Sequence, residues 1–297
     1  MKARPTRMVL LVISALLLLR ADPAAAQIDP VDLAPGDQLY QIQLVDGSLL
    51  IARVSAVDAD RITLTTSGGT RVEVQRSQIG EVRPAVGQVV DGVFWPDDPN
   101  DSRLFFTATG RTLESGTAYA GTYLIVLPFV GFGLTDRFTI AAGAPVLLGE
   151  FEPFYLAPKL QVVRAADVTM AVGALHFIFR GEDFSDGEDV GIAYGVATFG
   201  SSDRGLTLGV GFGYSGSDFS SQPVGMVGGE VRSSRRVKLI TENYILPDDT
   251  GLVLSGGVRL IGDRFSADLG IAAALGDGGG GCCVPLVSVA YQFGGGR

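Results

Sequence analysis

The sequence predicts an all-β protein: an antiparallel up-and-down transmembrane β-barrel of about 12 strands, preceded by a small β-barrel domain. Three observations carry that expectation. Segments of about ten residues place apolar side chains at every second position. Short polar turns alternate with longer loops along the second half of the chain. The 297 residues include 41 glycines without a collagen-like repeat, which suits tight turns and strands whose faces approach something closely.

The first 26 residues read as a secretory signal peptide. Lys2, Arg4 and Arg7 form a basic start, Met8 to Leu19 is apolar, and Ala24-Ala25-Ala26 supplies the small residues of a cleavage site before Gln27. This segment carries four basic residues and one acid, so the net charge of −9 becomes −12 without it. Such acidity, with no basic cluster longer than Arg235-Arg236, argues against a nucleic-acid partner. Beyond the signal no apolar run approaches the ~18 to 20 residues of a membrane-spanning helix. The run from Tyr123 to Gly133 is interrupted by Pro128. An exported chain without a helical anchor is either soluble or spans an outer membrane as a barrel.

Residues 37–86 read as a compact β module. QLYQIQLVDGSLLIARVSAV places Asp46-Gly47 between two apolar runs, a hairpin signal, and Gly68-Gly69 marks the next turn. On L-x-DGS-x-L-x-A-x-V, followed by I-x-L-x-T and SQIGEV, the module resembles the Sm-like small barrels attached to bacterial envelope proteins. The resemblance implies a periplasmic interaction domain with a possible protein partner, and a spacer without a ligand is the equal alternative. Low charge and the lack of exposed aromatic motifs argue against RNA binding.

Residues 87–102 read as a linker around WPDDPNDSR. The barrel then occupies 103–297. Its strands are expected at 103–110, 118–133, 137–148, 154–164, 168–179, 189–199, 205–214, 224–233, 236–246, 250–261, 264–274 and 284–293. An even number puts both ends of the barrel on the periplasmic side.

In LTLGVGFGY, Leu206, Leu208, Val210, Phe212 and Tyr214 share one face, and Thr207, Gly209, Gly211 and Gly213 the other. DVGIAYGVATF opposes Val190, Ile192, Tyr194 and Val196 to Gly191, Ala193, Gly195 and Ala197, and the apolar set is expected toward lipid. In the last strand Val287, Val289, Tyr291 and Phe293 share a face. That strand resembles the C-terminal signal by which outer-membrane barrels are recognised by their assembly machinery, with Phe293 in an interfacial aromatic girdle. The GGGR tail departs from the pattern, in which the aromatic comes last. A soluble sandwich or calyx would also alternate, but its outward face would be charged rather than Gly, Ala, Ser and Thr. The stretch PNDSRLFFTATGRTLESGTAYAGTYLIVLPFVGFGLTDRFTIAAGAP, with KLITENYIL and DLGIA, resembles a recurrent group of bacterial outer-membrane-type barrel proteins. This implies the fold and an outer-membrane location in contact with lipid and lipopolysaccharide, and it transfers no activity.

Alternation places Lys159 and Gln161 inward on the 154–164 strand, Glu230 and Arg232 on 224–233, Lys238 and Glu242 on 236–246, Arg259 on 250–261, and Asp268 on 264–274. These charges form the candidate functional site. In a wide lumen they would set ion preference, and in a narrow one they would pair and rigidify it. No catalytic set is evident. A Ser–His pair needs hydrogen-bond reach, and the single histidine, His176, has Ile178 two positions on. One histidine excludes a His-rich metal site, Cys282-Cys283 is too small a set for structural zinc, and the acidic GEDFSDGED loop lacks a regular calcium spacing. No cofactor, metal or enzymatic activity is expected. The sequence favours a narrow channel or transport protein, with a closed structural or assembly component as the alternative and a lipid-modifying enzyme third.

Overall fold

In a computed structural model of the protein, residues 33–146, 153–179, 189–247, 251–276, 281 and 283–294 are described. The signal segment, the acidic loop up to Glu188, Cys282 and the last three residues of the GGGR tail lie outside them. The chain divides into two compact units, meeting between Val86 and Gly87.

The first unit is a five-stranded antiparallel sheet: β1 (Leu39–Leu44), β2 (Leu49–Val57), β3 (Arg61–Thr66), β4 (Arg71–Gln75) and β5 (Ile79–Pro84) in the order β4-β3-β2-β1-β5. A 3₁₀ turn, Arg76–Gln78, joins β4 to β5. The two predicted hairpins are there for the expected reason. Gly47 and Gly69 both adopt φ +86°, a left-handed conformation that costs a residue with a Cβ, and Asp46 accepts the Ser48 amide at 2.8 Å. Alternate residues Ile42, Ala52, Val54, Ile62, Leu64 and Val82 meet in one buried core.

The second unit opens with a hairpin of β6 (Gly87–Val90) and β7 (Val93–Pro96). Its barrel strands are β8 (Ala118–Tyr123), β9 (Leu127–Thr135), β10 (Phe138–Gly143), β11 (Phe154–Arg164), β12 (Val168–Ile178), β13 (Val190–Gly200), β14 (Arg204–Ser215), β16 (Val224–Ser234), β17 (Val237–Ile245), β18 (Leu252–Ile261), β19 (Phe265–Leu275) and β20 (Val284–Phe293). A two-residue strand, β15 (Asp218–Phe219), folds back on the end of β14. Each barrel strand is antiparallel to its neighbours, and β20 pairs with β8 to close a ring of 12. The ring therefore leaves no edge strand.

Twelve strands are observed, but two of the expected ones are corrected. Residues 103–110 are not a wall strand. They run through the lumen, where Arg103, Leu104 and Phe105 are buried. The expected 118–133 strand is two strands, β8 and β9, reversed at Leu124 and Ile125 with φ of 49° and 68°. Neither is a usual left-handed residue, so the turn carries no Gly or Asn signal. The linker reading of 87–102 is likewise replaced by the β6–β7 hairpin and the start of the lumenal segment.

One face assignment is also reversed. On β14, Leu206, Leu208, Val210 and Phe212 point outward as expected and are 39–47% exposed. On β13 the large residues point inward. Val196 is buried and faces Gly209 across the pairing, Tyr194 faces Gly211, and Ile192 faces Gly213. A Cβ at Gly211 would sit 2.7 Å from Ile192 Cδ1. Alternation along one strand separates two faces, but only the neighbouring strand decides which one the lumen has room for.

The lumenal segment is held by packing as well as polar contacts. Leu104 is fully buried, with Cδ1 2.2 Å from where a Cβ on Gly228 would lie, and Phe105 packs 3.0 Å from that position on Gly270. Replacing Leu104 by Ala should lower the unfolding free energy of the folded protein by about 2–5 kcal/mol. Urea unfolding followed by tyrosine and tryptophan fluorescence checks this, and an unchanged midpoint would mean that the segment adds nothing to the barrel.

Candidate functional site: a strap across the lumen and the cavity above it

Residues 97–113 cross the barrel as a strap without regular structure, so their backbone groups need partners from the wall. The wall supplies them from nearly all sides. Glu242 on β17 accepts the amides of Phe106 at 3.1 Å and Thr107 at 3.3 Å, as well as the Thr107 and Tyr244 hydroxyls. Thr198 on β13 accepts the Gly110 amide at 2.9 Å, and Thr139 on β10 that of Leu113 at 2.9 Å. On β11, Lys159 Nζ donates to the carbonyls of Ser102 (2.8 Å), Thr109 (3.4 Å) and Arg111, while Gln161 donates to Gly110 O at 2.8 Å.

The centre of the site is ionic. Arg259 on β18 is fully buried and forms a two-pronged pair with Asp268 on β19, at 2.6 and 3.1 Å. Its remaining hydrogens go to the strap: Asp98 at 3.1 Å, and the carbonyls of Asn100 at 2.6 Å, Arg103 at 3.2 Å and Leu104 at 2.6 Å. Lys238 on β17 lies between Asp98 at 2.5 Å and Glu230 of β16 at 2.9 Å. Glu230 also receives Arg111 at 2.6 Å. Arg103 reaches Asn100, Asp268 and Ser288 of β20 at 3.1, 3.4 and 3.2 Å. Its guanidinium also sits 4.7 Å from the Tyr123 ring centre and 5.3 Å from that of Phe129, a cation–π arrangement. Asp98 is the hinge of the network. Burial alone would push its carboxyl up, but the charges of Arg259 and Lys238 outweigh that and hold it well below the ordinary 3.8.

Of the candidate residues, Glu230, Lys238, Arg259 and Asp268 join one network through the strap. Lys159 and Glu242 hold strap backbone elsewhere on the wall. Arg232 stands apart toward the short-turn end, paired with Asp203 at 3.0 Å and 5.4 Å from the Trp95 ring centre. Val289, Tyr291 and Phe293 are exposed on the outer face of β20, on the same side as Val287, with the two aromatic rings 4.9 Å apart. The sequence reading missed Asp98, Asn100, Arg103 and Arg111. The available signal was RLFF: three consecutive large apolar residues after an arginine do not alternate, so they cannot form a two-faced wall strand.

On the long-loop side of the strap lies a cavity of about 490 Å³. Arg103, Phe106 and Thr107 floor it, and it reaches Pro145 and Pro153 beside the ends of β10 and β11. Its walls are apolar and aromatic, including Tyr119, Tyr155, Phe177, Tyr194 and Met226. Glycines make room for these rings. A Cβ on Gly131 would lie 2.4 Å from Tyr119 Cζ, and one on Gly173 2.6 Å from the Tyr194 hydroxyl. On the outer face, His176 accepts from or donates to Tyr214 at 2.8 Å and lies 3.3 Å from Asp189.

No family model matches the chain, and no curated protein matches it. Among solved structures it is similar to a loop L8 deletion mutant of OmpT, an outer membrane protein of Vibrio cholerae, at 14% identity and a TM-score of 0.32, covering 86% of this chain and 96% of that one. OccK11 (OpdR) of Pseudomonas aeruginosa is 12% identical with a TM-score of 0.34, covering 86% and 93%. With superpositions this loose, the closed 12-stranded ring is read from the chain's own pairings.

Replacing Asp98 by Asn removes the shared anion while keeping its shape, and should destabilise the protein at pH 7 by about 3–5 kcal/mol, since two buried cations lose a partner. Because the carboxyl titrates below 3.8 in the folded state, its contribution is complete above that value and is lost as the pH falls through the folded one. The stability gap between the two proteins should therefore narrow on acidification from pH 5 to pH 3. A gap of constant size across that range would contradict the assignment.

Proposed function

We propose that the protein is a bacterial outer-membrane barrel of the transport type whose lumen is kept closed by its own strap, rather than an open pore. The observation that carries this reading is the use of the buried wall charges Lys159, Lys238, Glu242 and Arg259, on β11, β17 and β18, to bind residues 98–111. An aqueous filter would leave such charges facing water. The membrane assignment is supported by the outer surface, where Leu160, Leu206, Leu239, Leu254, Leu269 and Val289 are exposed on strands from all round the ring. A belt of this kind suits lipid as solvent. Among the described residues no helix is long and apolar enough to cross a membrane, so spanning falls to the strands.

On this reading the barrel is made by the outer-membrane assembly machinery and contacts lipid and lipopolysaccharide. Residues 37–86 are assigned to the periplasm as a protein-interaction module. These residues form their own five-stranded sheet, in the order β4-β3-β2-β1-β5, within a separate compact unit, which supports reading them as an independent module. Solute passage then requires the strap to leave the lumen.

Single-channel recording in a planar bilayer tests the closed lumen. The folded full chain should be silent, and deletion of residues 97–113 should give discrete conductance steps. Steps from the intact protein would overturn the proposal. Separately, a protein that stays soluble without detergent and runs at the same position in gels boiled or unboiled would refute the membrane assignment.

A further inference from the structure

We propose that the cavity above the strap binds an uncharged, largely apolar small molecule that carries oxygen acceptors, such as a quinone or aryl ketone. This rests on the closed-barrel reading, because the strap is the cavity floor. At about 490 Å³ the space lies in the range of small-molecule sites.

Charge is excluded by the hydrogen bonding of the floor. Glu242 already accepts two amides and two hydroxyls, which fills a carboxylate. The three hydrogens of Lys159 are spent on three strap carbonyls. Arg103 is engaged by Asn100, Asp268 and Ser288 and covered by two aromatic rings. An ionic ligand would be stripped of water without finding a counter-charge that is free to hydrogen-bond it.

Acceptors are called for by the walls. The hydroxyls of Tyr119, Tyr123, Tyr155 and Tyr194 make no hydrogen bond among the described residues, although all four residues line the cavity. They are not sealed in. The described side-chain oxygen that is both enclosed and unpartnered is Thr169 Oγ1, so the four tyrosine oxygens each keep some accessible surface. Buried tyrosine hydroxyls ordinarily find a partner. Here four tyrosines whose hydroxyls have no partner of their own line one space of mostly rings and aliphatic groups, which selects a flat, apolar body bearing carbonyl-type oxygens.

The test uses the full chain folded in detergent, with three probes of similar shape measured by equilibrium dialysis against protein-free micelles. These are 2-methyl-1,4-naphthoquinone, 2-methylnaphthalene and 1-naphthoate. The quinone should bind saturably at one per chain, about 10-fold tighter than the hydrocarbon, as expected for one or two hydrogen bonds; naphthoate should not bind. The quadruple variant Tyr119→Phe, Tyr123→Phe, Tyr155→Phe, Tyr194→Phe keeps the rings and should bring the quinone down to the affinity of the hydrocarbon. Ala157→Phe, which fills the cavity, should abolish binding of both; each variant is checked for folding by its gel shift on boiling. Equal affinity for quinone and hydrocarbon in the natural protein, tighter binding of naphthoate, or no saturable binding would overturn the inference. Those results leave a silent bilayer recording untouched, whereas conductance from the intact chain would remove the closed barrel on which the inference stands.

Discussion

A guanidinium with no exposure to solvent sits at the middle of this barrel, and the rest of the lumen is arranged around its neutralisation. Arg259 cannot remain charged in the wall with Asp268 alone, because a buried cation needs its other donors filled as well as its charge balanced. The strap supplies Asp98 and three backbone carbonyls. Lys238 faces the same problem, and the same Asp98 carboxylate addresses it. One acidic side chain on a segment without regular structure thus bridges the buried cations of β17 and β18.

The converse constraint acts on the strap. A stretch of chain in the lumen carries amides and carbonyls that a ladder would normally satisfy. Glu242, Thr198, Thr139, Lys159 and Gln161 replace the ladder one group at a time. Small wall residues complete the fit: Gly228 and Gly270 leave the space taken by Leu104 and Phe105. Above the strap the same device, glycine opposite a ring, lays tyrosines along the wall and leaves an open space between them. Closure of one half of the lumen and hollowness of the other therefore come from one rule of cross-strand volume.

Much of this was legible in the residues. The β14 alternation, the outward row from Val287 to Phe293, and the polar turns identify barrel strands because each side chain's face follows from its parity. Parity also placed Lys159, Glu230, Lys238, Glu242, Arg259 and Asp268 on strand positions whose side chains lie within the lumen. What parity could not reveal was the identity of their partners, since Asp98 lies 140 residues from Lys238 in sequence. Nor could it orient β13, where the large face turns inward only because β14 offers glycines. The β8–β9 turn was hidden for a different reason: Leu124 and Ile125 take left-handed angles that no local composition signals.

The account depends on the strap being part of the folded core rather than a segment resting in a pore. Amide hydrogen exchange of the folded protein tests that most directly. The amides of Phe106, Thr107, Gly110 and Leu113, bonded to wall side chains, should exchange as slowly as those in the middle of β17 and β18, opening only when the barrel does. Exchange of these four at the rate of an exposed loop, while the barrel strands remain protected, would contradict it.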